Sequence, residues 1–321
     1  MNEAAPLTVL IYYQNEKRAE EVRSLVARRF PQLTVRAVSA RGDAEALVEE
    51  ADVIAGWGFP TDLLARARRL RWFHKFAAGV DDVVAAGTLP PQAVLTRTDG
   101  RVFGRRMAEY VIAYMLAHSQ NVPRILRQQA ERRWKPFLTT TLAGRTVGIA
   151  GLGDIGQEIV RRAAALDMRV LGWRRSAGDV PGVERMYAGR EEFHEFRGQC
   201  DYVVVVLPLT DATRGLFDDT AFAAMRDGTY LINVGRGPVI QEQALLRALE
   251  SGKLAGATLD VFDVEPLPED HPFWRMENVI VTPHMSGPTV AEEVTAPFIE
   301  NMERFLAGRP LLKQVDLQRG Y

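Results

Sequence analysis

The stretch TVGIAGLGDIGQEIVRRAAAL, residues 146–166, constrains the fold of this chain more than any other. An apolar run leads into Gly151, Gly153 and Gly156, and a run whose apolar residues recur at helical spacing follows at once. Glycines spaced in this way let the backbone turn sharply and approach a pyrophosphate, whose charge the N–H groups of the helix start can meet. A tight turn with no ligand is the competing reading, because such hexamers arise by chance. The order strand, loop, helix, second strand favours a dinucleotide site.

That unit opens a longer rhythm. TVGIAGLGDIG, MRVLGW, DYVVVVLP, GTYLINVGRG, LAGATLDVF and NVIVTPH are six strand candidates with helical intervals, the pattern of a doubly wound nucleotide-binding sheet. Upstream, LTVLIYY, a charged helical segment over 16–30, LTVRAVS, a helical segment over 44–50 and ADVIAGW read as βαβαβ, and RWFHKFA and AVLT add short strands. RRMAEYVIAYMLAHSQ predicts one long helix over 104–120, interrupted by Pro123, that joins two domains. AEEVTAPFIENMERFLAG predicts a helix returning to the first domain. With 321 residues, 47% of them hydrophobic, the chain can bury two cores. The expectation is an α/β protein of two doubly wound parallel-sheet, Rossmann-like domains with an active-site cleft between them. Residues 1–103 with 289–321 form the substrate domain and 104–288 the dinucleotide domain.

Composition excludes several partners. Forty basic and forty-one acidic residues give a formal charge of -1, so no global field draws the chain to nucleic acid or an anionic membrane. The single cysteine, Cys200, allows no internal disulfide and cannot by itself build a thiolate metal site, so no metal is expected. MNEAAPLTVLIYYQNEKR has an apolar run too short for a secretory signal, and no stretch reaches the ~18 apolar residues of a membrane span. The expected location is the cytoplasm.

The second strand of the dinucleotide unit should end, about 20 residues after the glycines, in an acid that binds the adenosine ribose. Here it ends in Trp173, Arg174, Arg175 and Ser176. A carboxylate there would accept the ribose hydroxyls and repel a 2′-phosphate, whereas guanidinium groups fork onto phosphate oxygens and Ser176 can add a hydroxyl. The strand end thus favours NADP(H), with NAD(H) possible, and the competing reading is two arginines that solubilise a loop.

Three later stretches supply the chemistry of a 2-oxo acid reductase. Arg236 of NVGRGP ends a strand, where a guanidinium can grip a carboxylate and polarise the adjacent carbonyl; a structural ion pair is the alternative. LDVFDVEPLP and VTPHMSG supply Glu265 and His284. A ketone that accepts hydride needs a proton on oxygen, histidine is suited to deliver it, and a neighbouring carboxylate favours the charged imidazolium. His74, His118, His194 and His271 read as structural or surface residues.

GLGDIG, LPLTDATRGLF, LINVGRGPVI, GATLDVFDVEPLPEDHPFW and NVIVTPH together resemble the D-isomer-specific 2-hydroxyacid dehydrogenase family over most of 72–288. The resemblance implies Arg236, Glu265 and His284 as the catalytic set. It implies Asp260 and Gly287 beside the nicotinamide, and cofactor contacts from Asp154, Ile155, Leu207, Pro208, Thr213, Val234 and Gly235. FAAGVDDV matches the loop whose N–H groups hold the substrate carboxylate, placing Ala78, Gly79 and Val80 there. ERRWKPF and QVDLQRGY resemble the glyoxylate/hydroxypyruvate reductase A branch, which implies NADPH, small 2-oxo acids, a substrate-loop tryptophan near Trp57, and Trp134 reaching a partner subunit's active site. MSG after His284 departs from the family's small pair and leaves substrate size open at Met285 and Ser286. The helix over 104–120 resembles the family's dimerisation region, so a homodimer is expected, against core packing of Tyr114, Met115 and Leu116 within one chain.

The reading that results is an NADP(H)-preferring reductase of a small 2-oxo acid. Its rivals are a dehydrogenase of a larger 2-hydroxy acid, 3-phosphoglycerate or formate, and a dinucleotide-gated corepressor-like binding module.

Overall fold

The computed structural model describes residues 6–320; residues 1–5 of the leader expectation and Tyr321 of QVDLQRGY lie outside them. The chain forms two compact units, one reaching Val102 and resuming at Thr289, the other spanning Phe103–Pro288.

In the first unit, strands β1 (Thr8–Tyr13), β2 (Thr34–Val38), β3 (Val53–Trp57), β4 (Trp72–Lys75) and β5 (Val94–Arg97) form a parallel sheet in the order β2-β1-β3-β4-β5. Leu10, Ile54, Leu64 and Phe73 are among its fully buried side chains. The helix Ala291–Leu306 belongs to this unit, where Phe298 stacks on Trp72 at 4.9 Å. The helical segment read over 44–50 begins earlier, as Arg41–Leu47, and tightens into a 3₁₀ turn at Val48–Glu50.

In the second unit, β6 (Thr146–Ala150), β7 (Arg169–Arg174), β8 (Arg185–Ala188), β9 (Tyr202–Val205), β10 (Thr229–Asn233), β11 (Leu254–Leu259) and β12 (Val279–Val281) form a parallel sheet in the order β12-β11-β10-β9-β6-β7-β8. Both sheets are α/β and doubly wound, as the alternating runs predict. The sequence reading lacks β8, because RMYA is an edge strand with no apolar run to mark it. The strand order reverses between β6 and β9, and in such sheets ligands bind outside the carboxyl ends at that point.

The long helix runs Gly100–Ser119, and Pro123 does not merely interrupt it: it opens a second helix, Val122–Ala130, within whose first turn its missing N–H costs nothing. Among the described residues no helix is long and apolar enough to cross a membrane.

Candidate active site

The loop after β6 stands at the strand-order reversal. Gly151 has φ +109°, and a Cβ there would lie 2.6 Å from the Val206 carbonyl oxygen. A Cβ on Gly156 would collide with the Gly151 carbonyl, so these two glycines are dictated by the protein's own packing. Gly153 differs, because its Cβ would meet nothing within 4 Å. Gly153 also begins the helix Asp154–Ala164 with no side chain capping it, so Asp154, Ile155 and Gly156 present the helix start to that open space. The arrangement fits a dinucleotide phosphate.

At the end of β7 the Trp173 indole turns into the core, 4.7 Å from the Phe193 ring, and donates to the Gly189 carbonyl at 2.7 Å. Only its backbone remains to meet a ligand. Arg174 is half-buried; Nη2 donates to the Ala177 carbonyl at 3.3 Å, and Nε is buried with no hydrogen-bond partner among the described residues. Arg175 and Ser176 are exposed. Beyond β9, Leu207 is buried, Pro208 exposed, and the Thr213 hydroxyl closes their loop by donating to the Pro208 carbonyl at 2.7 Å and accepting from the Thr210 N–H at 2.9 Å.

Arg236 leaves β10 through Val234 and Gly235. The buried Asn233 side chain accepts the Gly235 N–H at 3.0 Å and donates to the Arg236 carbonyl at 3.1 Å, fixing the backbone on which the guanidinium stands. A Cβ on Gly237 would collide with the Phe262 backbone, which ties the Arg236 turn directly to the segment bearing Glu265.

Glu265 and His284 form the chemical pair. His284 Nδ1 lies 2.8 Å from Glu265 Oε2, and Glu265 Oε1 accepts the Phe262 N–H at 2.9 Å. An ionised carboxylate only accepts, so Nδ1 carries the hydrogen and Nε2 is left to exchange a proton with a ligand. Burial alone would raise the Glu265 pKa. The His284 hydrogen bond, the Phe262 N–H and the charges of His284 and Arg236 outweigh it and hold the carboxyl below its ordinary range. The imidazole is 49% exposed, open to a substrate.

His284 occupies the left-handed region at φ +48°. Asp260, fully buried at the end of β11, accepts the His284 N–H on its carbonyl at 3.0 Å. Its carboxylate takes the Met285 N–H at 2.8 Å, the Ser286 N–H at 2.9 Å and the Thr282 hydroxyl at 2.5 Å. Asp260 therefore clamps the turn that carries His284, a role the sequence reading did not assign it. The contact of Thr282 with Tyr110, 2.6 Å long, has no signal in the sequence, since the two residues stand 172 positions apart and leave no local pattern. Gly287 packs against Met107, where a Cβ would lie 3.1 Å from sulfur.

In the first unit, Trp57 ends β3 with 43% of its surface exposed, and Ala78, Gly79 and Val80 follow β4 just before the short helix Asp81–Ala86. Trp134, by contrast, is 98% exposed in the second unit.

Comparison with known proteins agrees with this geometry. Residues 112–286 match the profile of the D-isomer specific 2-hydroxyacid dehydrogenase, NAD binding domain. The glyoxylate/hydroxypyruvate reductase A of Serratia proteamaculans (strain 568) is 33% identical over 317 residues, 97% of this chain and 99% of that protein. A D-isomer specific 2-hydroxyacid dehydrogenase from Xanthobacter autotrophicus Py2, solved with NADPH and MES, is 36% identical with a TM-score of 0.86, covering 98% of this chain and 99% of that one. An NADPH-dependent glyoxylate/hydroxypyruvate reductase from Sinorhizobium meliloti, solved with NADP and sulfate, is 32% identical with a TM-score of 0.90, covering 98% and 100%. With its motifs assembled on one sheet edge and these relatives spanning its length, the chain belongs to the D-isomer specific 2-hydroxyacid dehydrogenase family.

Proposed function

We propose that this chain reduces a small 2-oxo acid, such as glyoxylate or hydroxypyruvate, to the D-2-hydroxy acid, with NADP(H) as preferred cofactor. The observation that carries the reading is the 2.8 Å pairing of His284 with a Glu265 carboxylate held in its charged form. The bound nicotinamide supplies the hydride. Arg236 grips the substrate carboxylate and polarises the adjacent carbonyl. Trp57 bounds the substrate's side chain. His284 Nε2 delivers a proton to the carbonyl oxygen while Glu265 stabilises the imidazolium, and in the reverse direction the neutral ring accepts it. Gly153 and the helix start hold the pyrophosphate, while Arg174, Arg175 and Ser176 take the 2′-phosphate. The relatives solved with NADP and NADPH support that choice.

The chain pairs with a second copy of itself. Trp134 and Leu138, each 98% exposed, lie close together in sequence, and water contact with so much apolar surface is costly unless a partner covers it. Sedimentation should give twice the chain mass, and Trp134→Lys with Leu138→Lys should shift it toward one.

The reaction is tested by initial rates with glyoxylate and hydroxypyruvate, each with NADPH and NADH. A faster rate with NADPH is expected. Activity only toward bulkier acids would move the substrate, and silence toward every 2-oxo acid would remove the reading.

A further inference from the structure

We propose that Tyr110 is a positioning residue for proton transfer: through the Thr282 hydroxyl it orients the Asp260 carboxylate that holds the turn carrying His284. The inference rests on the proposed role of His284 as proton donor.

The turn is held against its own preference. A non-glycine residue in the left-handed region is strained and persists only where the surroundings over-determine it. Here the N–H groups of Met285 and Ser286 end on the Asp260 carboxylate, and the His284 N–H is shared between the Asp260 and Thr282 carbonyls. Met285 and Ser286 bind different carboxylate oxygens, so the turn keeps its shape only while the plane of that carboxylate is fixed.

Thr282 fixes it from the side. Its hydroxyl donates to the same Asp260 oxygen that receives Met285, at 2.5 Å. A threonine hydroxyl has one hydrogen, so having given it to Asp260 it meets Tyr110 as an acceptor, and Tyr110 donates across the 2.6 Å contact. The relay has one direction, from phenol to threonine to carboxylate, and requires the phenol to keep its proton. Burial, only partly offset by the Thr282 bond, pushes the Tyr110 hydroxyl well above its ordinary value. Tyr110 stands on the helix Gly100–Ser119, with its ring 4.5 Å from that of Tyr114. A relay anchored on a helix gives the His284 turn a rigid reference that a loop residue would not.

Packing alone is the alternative, and it is separable, because Tyr110→Phe keeps the ring and deletes the donor. The experiment compares wild type, Tyr110→Phe, Thr282→Val and the double variant. It measures kcat and KM with glyoxylate and NADPH, the affinity for NADPH, and amide exchange at Met285 and Ser286. Loss of one hydrogen bond should lower kcat about fivefold in Tyr110→Phe, with NADPH affinity held within about twofold. Exchange at both amides should quicken. On the Thr282→Val background, removal of the Tyr110 hydroxyl should change nothing further, because its path is already cut.

An unchanged kcat, unchanged exchange, or effects that add in the double variant would each overturn the proposal. If the wild type were silent toward 2-oxo acids, the proposed reaction would fall, and the exchange measurement would decide by itself whether Tyr110 holds the turn.

Discussion

His284 Nδ1 and Glu265 Oε2 meet at 2.8 Å across 19 residues of sequence, and the second oxygen of that carboxylate is pinned by the Phe262 N–H at 2.9 Å. Both ends of the pair are thus set by backbone, His284 through Asp260 and Glu265 through Phe262. His284→Ala should lower kcat by about 10²–10⁴, the usual worth of a positioned acid, while NADPH binding followed by fluorescence stays as it was. Glu265→Gln keeps the shape and loses the charge, so its kcat should fall between the two. Retained turnover in His284→Ala would end the proton-donor assignment.

The proposed preference for NADP(H) rests on a different strand end. Arg174 has one guanidinium nitrogen on the Ala177 carbonyl and another buried without a hydrogen-bond partner among the described residues, and a phosphate at the β7 end would meet its charge. A hydrogen bond to a charged group contributes about 1.5–3 kcal/mol, so Arg174→Asp should weaken NADPH by roughly ten- to a hundredfold. The same variant should improve NADH, because its carboxylate can accept ribose hydroxyls. KM measured for both cofactors decides it: an unaltered ratio would show that Arg174 does not read the phosphate.

The glycine loop separates folding from binding. Gly156→Ala drives a methyl into the Gly151 carbonyl and should leave little soluble protein. Gly153→Ala meets only open space, so the protein should fold with an unchanged melting temperature. If that space holds the pyrophosphate, the same methyl should weaken NADPH binding by tenfold or more, as seen by titration calorimetry. A Gly153→Ala protein with wild-type affinity would place the pyrophosphate elsewhere.

These cases mark how far the sequence reaches. The glycine loop, the strand rhythm and the stretches that bring Glu265 and His284 together were legible because each rests on a short-range pattern: a steric need, an alternation, a motif. β8 was not, since a four-residue edge strand has no need of an apolar run. The second helix from Val122 was missed because a proline both ends one helix and begins the next, so Pro123 read only as a stop. The Asp260 clamp and its Tyr110 relay were invisible for a further reason. They are made by packing three distant segments, and tyrosine, threonine and aspartate are each common enough to carry no signal alone.

His74 carries the clearest pH dependence outside the site. It lies on β4 with no exposure, its Nδ1 2.7 Å from the Thr96 hydroxyl and its ring 5.3 Å from Phe76 and 5.4 Å from Phe298. Burial among these rings pushes its pKa from the ordinary 6.5 down to about 3. The unfolded chain therefore takes up a proton below pH 6.5 that the folded chain refuses until about pH 3. The stability due to the neutral ring is complete above the higher value and is lost as pH falls through the window, at about 1.4 kcal/mol per pH unit. Between pH 6.5 and about pH 5, wild type should lose up to about 2 kcal/mol that His74→Gln does not, although the variant starts less stable. Urea unfolding at both pH values measures it, and curves that fall in parallel would mean that the folded protein protonates His74 as readily as the unfolded one.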